Sequence, residues 1–221
     1  MNCQNQDIQD ERMYRIKTSI LLQITNYLLP ITYYQLLMNH YFLIIDLEAT
    51  CCHQKSIPRH KMEIIEIGAV MLNRQTWEID DEFQQFIKPV RNPQLTAFCT
   101  ELTSISQQQV DAAQSFPEVM SKLTDWMNLF PNNIFCSWGN YDKSQFLQDC
   151  KFHHIPYPFG AEHRNIKTEF SEYLGVSDKF GMVQALKHLG MELQGTHHRG
   201  IDDARNIAAI YRYMQTTQKS D

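Results

Sequence analysis

The chain has 221 residues, of which 43% are hydrophobic, 20% charged and 11% aromatic, and its formal net charge is −5. This composition supports one large domain, or a domain with an extension, and excludes a chain disordered over most of its length. The acidic balance argues against long-range steering and extended non-specific binding of nucleic acid. Six cysteines without C-x-x-C spacing argue against a zinc knuckle and read as reduced thiols of a cytoplasmic protein.

Near the N-terminus, Arg12, Arg15 and Lys17 precede a run from Thr18 to Ile45 that holds no Asp, Glu, Lys or Arg. Gln23, Asn26, Pro30 and Gln35 interrupt that run and no small-residue cleavage site follows it, so no membrane association is expected. Residues 1–38 read as an extension, either dispensable or upstream of a natural start at Met38, or else an added helix packing on the domain, and residues 39–217 as the working domain. Tyr41–Asp46 reads as a first, buried strand. Met62–Leu72, rich in β-branched residues, and Trp77–Ile87 read as a second and third, and the short link at 73–75 favours an antiparallel pair. Residues 89–100 read as loop and 103–113 as a short polar helix. Phe116, Val119, Met120, Leu123, Trp126, Met127 and Phe130 follow helical spacing. Asn133–Trp138 reads as a fourth strand, and Asp142–His153, Lys179–Leu189 and Ile201–Met214 as helices. Strands first, then alternation with helices, predict a three-layer α/β fold around a mixed sheet.

The most informative residues are Asp46 and Glu48, two carboxylates two positions apart at the end of the first strand. In a strand such residues share a face. Their charges repel, and a divalent cation is the natural compensation. Asp142 follows the fourth strand and a G-x-x turn; His198 and Asp203 open the final helix. Alone, Asp142 reads as a helix cap and Asp203 as an acid favoured by the helix dipole. Their joint order points instead to one metal site. The four acids also account for most of the net negative charge, so the remainder of the chain is close to neutral.

That order resembles the DEDDh group of the DnaQ-like 3′–5′ exonuclease superfamily. Within it, the likeness is greatest to the branch of histone-mRNA 3′-end and RNA-interference-related exoribonucleases. The motifs are Ile45-Asp-Leu-Glu-Ala-Thr-Cys51, Glu63-Ile-Ile-Glu-Ile-Gly-Ala-Val70, Phe98-Cys-Thr-Glu-Leu-Thr-Ser-Ile105, Ser137-Trp-Gly-Asn-Tyr-Asp142 and His198-Arg-Gly-Ile-Asp-Asp-Ala-Arg-Asn206. His198 stands five residues before Asp203, as the histidine type of the group requires; Arg199 stands where the tyrosine type would need Tyr. His197 stands five before Asp202, but Asp203 is the one followed by Ala204, as in the family motif.

The resemblance implies an RNase H-like fold with a central mixed five-stranded sheet, two Mg²⁺ or Mn²⁺ ions, and hydrolysis of single-stranded nucleic acid, RNA by the branch likeness, from its 3′ end. It implies that Asp46, Glu48, Asp142 and Asp203 hold the metals, that Glu48 also serves the attacking water, and that His198 is the general base. Ala49, Thr50 and Leu102 would contact the terminal nucleotide, with His198 beside it and Trp138 and Tyr141 offering faces for a base. His60, Lys61, Lys88, Arg91, His163, Arg164, Lys167 and Arg199 are candidates for phosphate contacts. A DNA-directed exonuclease would use the same five residues. A non-catalytic regulatory module on this fold is the remaining alternative; it would be expected to lose metal ligands, and all five positions are intact.

Overall fold

The computed structural model describes residues 41–53 and 56–217; the expectations for residues 1–38 lie outside them. The run Phe42-Leu-Ile-Ile45 is buried on both sides, which suits a central strand covered by helices on two faces. It forms the first part of β1 (Tyr41–Ala49). Phe42 and Ile44 enter one core with Val70, Leu72, Ile134 and Cys136, while Leu43, Ile45 and Leu47 enter another with Met71, Phe116, Leu123 and Phe146. Alternation carries Asp46 and Glu48 onto the Phe42–Ile44 side, beyond the end of its apolar packing.

On one flank of β1 lie β2 (Ile64–Asn73) and β3 (Ile79–Phe86), both paired antiparallel; on the other lie β4 (Asn133–Ser137) and β5 (His163–Asn165), both paired parallel. The order β3-β2-β1-β4-β5 is the mixed five-stranded sheet expected. Because β1 and β4 run parallel, their carboxyl ends reach the same edge of the sheet.

Seven helices follow in chain order among the described residues: α1 (Ala97–Thr103), α2 (Gln107–Asp111), α3 (Phe116–Asn128), α4 (Tyr141–Phe152), α5 (Ile166–Leu174), α6 (Met182–His188) and α7 (Gly200–Thr216). The stripe Phe116, Val119, Met120, Leu123 and Met127 of α3 is buried as its spacing predicts, and Glu118 accepts from the Ser115 amide at 2.8 Å to close a capping box. On α7, Ile201, Ala204, Ile207, Ala208, Tyr211 and Met214 face the sheet, with Tyr211 edge-on to Phe42 at 4.9 Å.

The first turn of α7 lies directly on β2. A side-chain carbon on Gly68 would collide with the Gly200 carbonyl carbon and the Ile201 nitrogen, so only glycine permits this approach. Gly68 pairs across the sheet with Asp46. The close approach therefore brings the start of α7 over the acidic end of β1.

Three stretches differ from the sequence expectation. The helix expected at 103–113 is two helices, and α1 begins inside the expected loop at 89–100. Thr96 caps α1 by accepting from the Cys99 amide, Ser104 turns into the left-handed region at φ 58°, and Ser106 starts α2 with its own capping box. Caps outweigh the weak periodicity of this segment. β5 and α5 had no counterpart in the sequence reading: β5 is three polar residues, and α5 buries only Ile166, Phe170 and Ser171. Other boundaries move by up to about three residues, within the ordinary fraying of element ends.

Candidate active site

A cleft of about 380 Å³ opens at the carboxyl edge of β1 and β4, lined by Asp46, Glu48, Ala49, Leu102, Trp138, Tyr141, Asp142, His197, His198 and Asp203, among others. Each side chain arrives by a separate route. Asp46 and Glu48 come from the strand alternation of β1. Asp142 sits in the first turn of α4, after β4 ends and Gly139 turns the chain at φ 111°. Asp203 sits in the first turn of α7, and His198 just ahead of it at φ 64°.

One carboxylate oxygen each from Asp46, Glu48 and Asp203 lies within 4.8 Å of the others. Asp142 stands outside that trio but lines the same cleft, and its Oδ1 accepts from the Leu47 amide at 3.2 Å. Burial raises the pKa of all four carboxylates, and for Asp46 and Glu48 the neighbouring acids raise it further. Burial, then the charges of Asp142, Glu48 and Asp203, holds Asp46 well above the usual carboxylate range. Burial, then the charge of Asp203, pushes Glu48 up to about 9. Burial pushes Asp142 to about 7 against hydrogen bonds from the Leu47 amide and Ser137. Burial raises Asp203 against the stabilising His197 ring and His198 amide. Acids this close resist ionising together unless a cation joins them. A hard all-oxygen donor set fits a divalent ion such as Mg²⁺ or Mn²⁺ better than zinc. The residues therefore fit the metal they were expected to hold.

His198 Nδ1 lies 4.0 Å from Glu48 Oε1, and its ring is stacked on His197 at 3.8 Å between centroids. Burial and His197 lower its pKa from the ordinary 6.5, which favours the neutral, proton-accepting form. His197 is more than a neighbour: its Nδ1 lies 3.0 Å from Asp203 Oδ2, while the His198 amide donates to the same oxygen at 3.1 Å.

Of the expected nucleotide contacts, Ala49, Leu102, Trp138, Tyr141 and His198 line the cleft and Thr50 does not. Thr50 is 1% exposed, and its Oγ1 accepts from the Glu63 amide at 3.0 Å, which fixes the end of β1 to the start of β2. Trp138 donates from Nε1 to the Phe180 carbonyl at 3.1 Å, tethering the segment that brings Gly181 and Met182 to the cleft. Half of the proposed phosphate contacts have internal partners: Arg91 pairs with Asp149, Arg164 with Glu169, Arg199 with Glu66, and His163 with Ser137.

The sequence reading passed over Glu66. It faces Glu48 across β1 and β2, is fully buried, and accepts from Arg199 Nε, Arg199 Nη2 and the Gly200 amide, each at 3.1 Å. A β2 carboxylate thus satisfies the first amide of α7, whose own N-cap residue makes no side-chain cap. The available sequence signal was an acid set among the apolar residues Ile64, Ile65 and Ile67 of β2.

A mixed sheet whose central strand ends in paired acids, completed by an acid from each of two helices and a histidine at the rim, defines an RNase H-like nuclease. More narrowly, the chain belongs to the exonuclease family, whose profile matches residues 43–211, and to its DEDDh group. It is 39% identical over 176 residues to the human 3′-5′ exoribonuclease 1, a match covering 76% of this chain and 50% of that protein. It is 33% identical over 178 residues to a probable 3′-5′ exonuclease, KapD, of Bacillus subtilis (strain 168), covering 78% of this chain and 83% of that one. The crystallographic structure of the nuclease domain of 3′hExo, a DEDDh family member bound to rAMP, superposes with a TM-score of 0.75 at 36% identity, covering 82% of this chain and 94% of that domain. The chain spans about half the length of several of the curated relatives it matches.

Proposed function

We propose that this chain is a divalent-metal-dependent 3′–5′ exonuclease that shortens single-stranded RNA from its 3′ end and releases nucleoside 5′-monophosphates. The observation that carries the proposal is the meeting of Asp46, Glu48, Asp142, His198 and Asp203 in one open cleft, from three separate parts of the chain. RNA is favoured by the exoribonuclease relatives and by the relative solved with rAMP.

Asp46, Glu48 and Asp203 would hold the metal ions together with Asp142, and Mg²⁺ is the ion that suits an all-carboxylate site in a cell. When bound, a pair of such ions activates water and offsets charge on the leaving oxygen. The protein's own groups do the rest. His198, neutral at cellular pH, accepts the proton of the attacking water. Glu48, within 4.0 Å of the His198 ring, helps hold that water. Leu102 offers an apolar face to the terminal base, and Trp138 and Tyr141 offer ring faces to stack on. Ala49 leaves room for the terminal sugar at the end of β1. A cytoplasmic site of action is consistent with the free thiols of Cys51, Cys52, Cys99, Cys136 and Cys150. Residues 39–217 form the catalytic domain in this reading, with residues 1–38 an extension to it.

The test compares initial rates on matched single-stranded RNA and DNA oligonucleotides in Mg²⁺ and in Mn²⁺, with products identified by chromatography. RNA is cleaved faster, to nucleoside 5′-monophosphates. Faster cleavage of DNA would assign the site to the DNA-directed alternative, and no cleavage of either would leave only the regulatory one.

A further inference from the structure

The cleft floor is strongly acidic, yet the substrate proposed for it is a polyanion. Cations fixed at the rim are needed to hold the strand while its last phosphodiester sits among the carboxylates. Most of the arginines of the described residues are occupied elsewhere: Arg91, Arg164, Arg199, Arg205 and Arg212 each pair with an acid. The exception beside the cleft is the single 3-10 turn Arg59-His60-Lys61. All three side chains are exposed, and none has an acidic partner among the described residues.

This turn is held in place from beneath. Arg91 donates to the His60 carbonyl at 3.4 Å and to the Met62 carbonyl at 3.0 Å; Asn92 donates to the Lys61 carbonyl at 2.7 Å. Gln145 and Gln148 of α4 donate to the Met62 carbonyl at 3.0 and 2.8 Å. Arg91 and Asn92 are themselves fixed, by buried Asp149 and by buried Glu63. Two of these five bonds end on carbonyls of the turn and three on Met62, which closes it, so the backbone is anchored while the three side chains stay exposed. Its position meets the cleft directly: the Arg59 guanidinium lies 5.1 Å above the Tyr141 ring, and both Tyr141 and Met62 line the cleft. The aromatic face holds that guanidinium without neutralising it.

We propose that the Arg59–Lys61 turn is a binding site for a backbone phosphate of the substrate strand. Since the cleft takes the 3′-terminal nucleotide, every other phosphate lies on its 5′ side, and the turn grips the strand upstream of the bond being cut. The inference rests on the exonuclease reading and deepens it: it predicts a preference for oligonucleotides over single nucleotides without any base-specific contact.

The experiment uses the full chain and the double variant Arg59→Ala/Lys61→Ala, with Lys122→Ala on α3 as a surface control. kcat and KM on a 12-nucleotide RNA are measured across a salt series, and melting temperatures are recorded for each protein. A phosphate contact to a single strand contributes about 0.7 to the slope of log affinity against log salt, so loss of this one phosphate site flattens the slope by about 0.7. The expected result is that flattening, a KM raised about tenfold at low salt, unchanged kcat and melting temperature, and a wild-type slope in Lys122→Ala. An unchanged slope in the double variant, an equal flattening in Lys122→Ala, or a fall in kcat that follows a lowered melting temperature overturns the inference. Wild-type hydrolysis of a nucleoside 5′-monophosphate p-nitrophenyl ester, which has no upstream phosphate, reads the catalytic site separately. Failure of the wild type on that ester counts against the exonuclease reading itself; a normal ester rate with an unchanged slope in the variant overturns the phosphate site alone.

Discussion

Replacing Asp142 by Asn should make the metal-free protein more stable while removing part of its response to metal. Asp142 is 3% exposed, and burial moves its pKa from 3.8 to about 7. The unfolded chain ionises this acid near 3.8 and the folded one only near 7. Between those values unfolding releases a proton, so stability falls as pH rises, and above about pH 7 the full penalty is in place. Roughly three units at about 1.4 kcal/mol each set an upper bound of about 4 kcal/mol. Asn keeps an acceptor for the Leu47 amide, which Asp142 holds at 3.2 Å. Its new NH₂ group, where unpaired, costs about 1–2 kcal/mol, leaving a net gain of about 2–3 kcal/mol. At about 2–4 °C per kcal/mol for a domain of this size, the variant melts about 5–10 °C above the wild type at pH 8 without metal. The assay is calorimetry of protein dialysed against chelator, at pH 8 and at pH 4, with and without Mn²⁺. At pH 4 the ionisation penalty is nearly gone while the cost of the unpaired NH₂ remains, so the order should reverse and the variant should melt a few degrees below the wild type. In Mn²⁺ at pH 8 the wild type should gain stability and the variant less, so the gap closes or reverses. A variant that melts below the wild type at pH 8 without metal, or that gains as much from Mn²⁺, refutes the reasoning.

Three further outcomes are expected. His198→Ala should lower kcat about 10²- to 10⁴-fold, the range for loss of a general base, while keeping the Mn²⁺-induced rise in melting temperature. Because His198 is held below 6.5, the acid limb of the wild-type rate profile should lie under that pH and be absent from the variant; a limb that survives assigns it to another group. Thr50→Val leaves the buried Glu63 amide without its acceptor and should cost about 1–3 kcal/mol of stability with kcat unchanged; a raised KM at an unchanged melting temperature would return Thr50 to the nucleotide site. Leu102→Ala, trimming a half-buried side chain of the cleft, should raise KM about tenfold for a loss of roughly 1–2 kcal/mol of apolar contact. A kcat loss with KM unchanged would refute that role.

The acidic core of the site was legible because β1 obeys the simplest rule of strand geometry. Phe42, Ile44, Asp46 and Glu48 lie on one side, so two acids at the end of an apolar alternation had to emerge together. Distance in the sequence hid the rest. Nothing local to Asp142 or Asp203 separates a ligand from an ordinary first-turn acid; only the family order joined them to Asp46. The choice of His198 over His197 also came from that order, and the structure gives both rings a place: one at the cleft rim, the other bonded to Asp203. Glu66 went unread because its importance lies in the register opposite Glu48 and in the docking of α7 on Gly68, both set by tertiary packing. β5 was illegible for a different reason: three polar residues at a sheet edge carry no hydrophobic period. Among the candidate phosphate contacts, sequence could not tell Arg91, whose charge is absorbed by Asp149, from Lys61, which has no such partner among the described residues.

The most direct measurement is the ladder of products from a 5′-labelled single-stranded RNA incubated with Mn²⁺. The wild type should shorten it one nucleotide at a time from the 3′ end, chelator should stop the reaction, and His198→Ala, folded and still stabilised by Mn²⁺, should leave the RNA nearly full length. A ladder that persists in chelator or in His198→Ala, or internal fragments in place of stepwise loss, would contradict the assignment of this cleft to metal-dependent 3′–5′ hydrolysis.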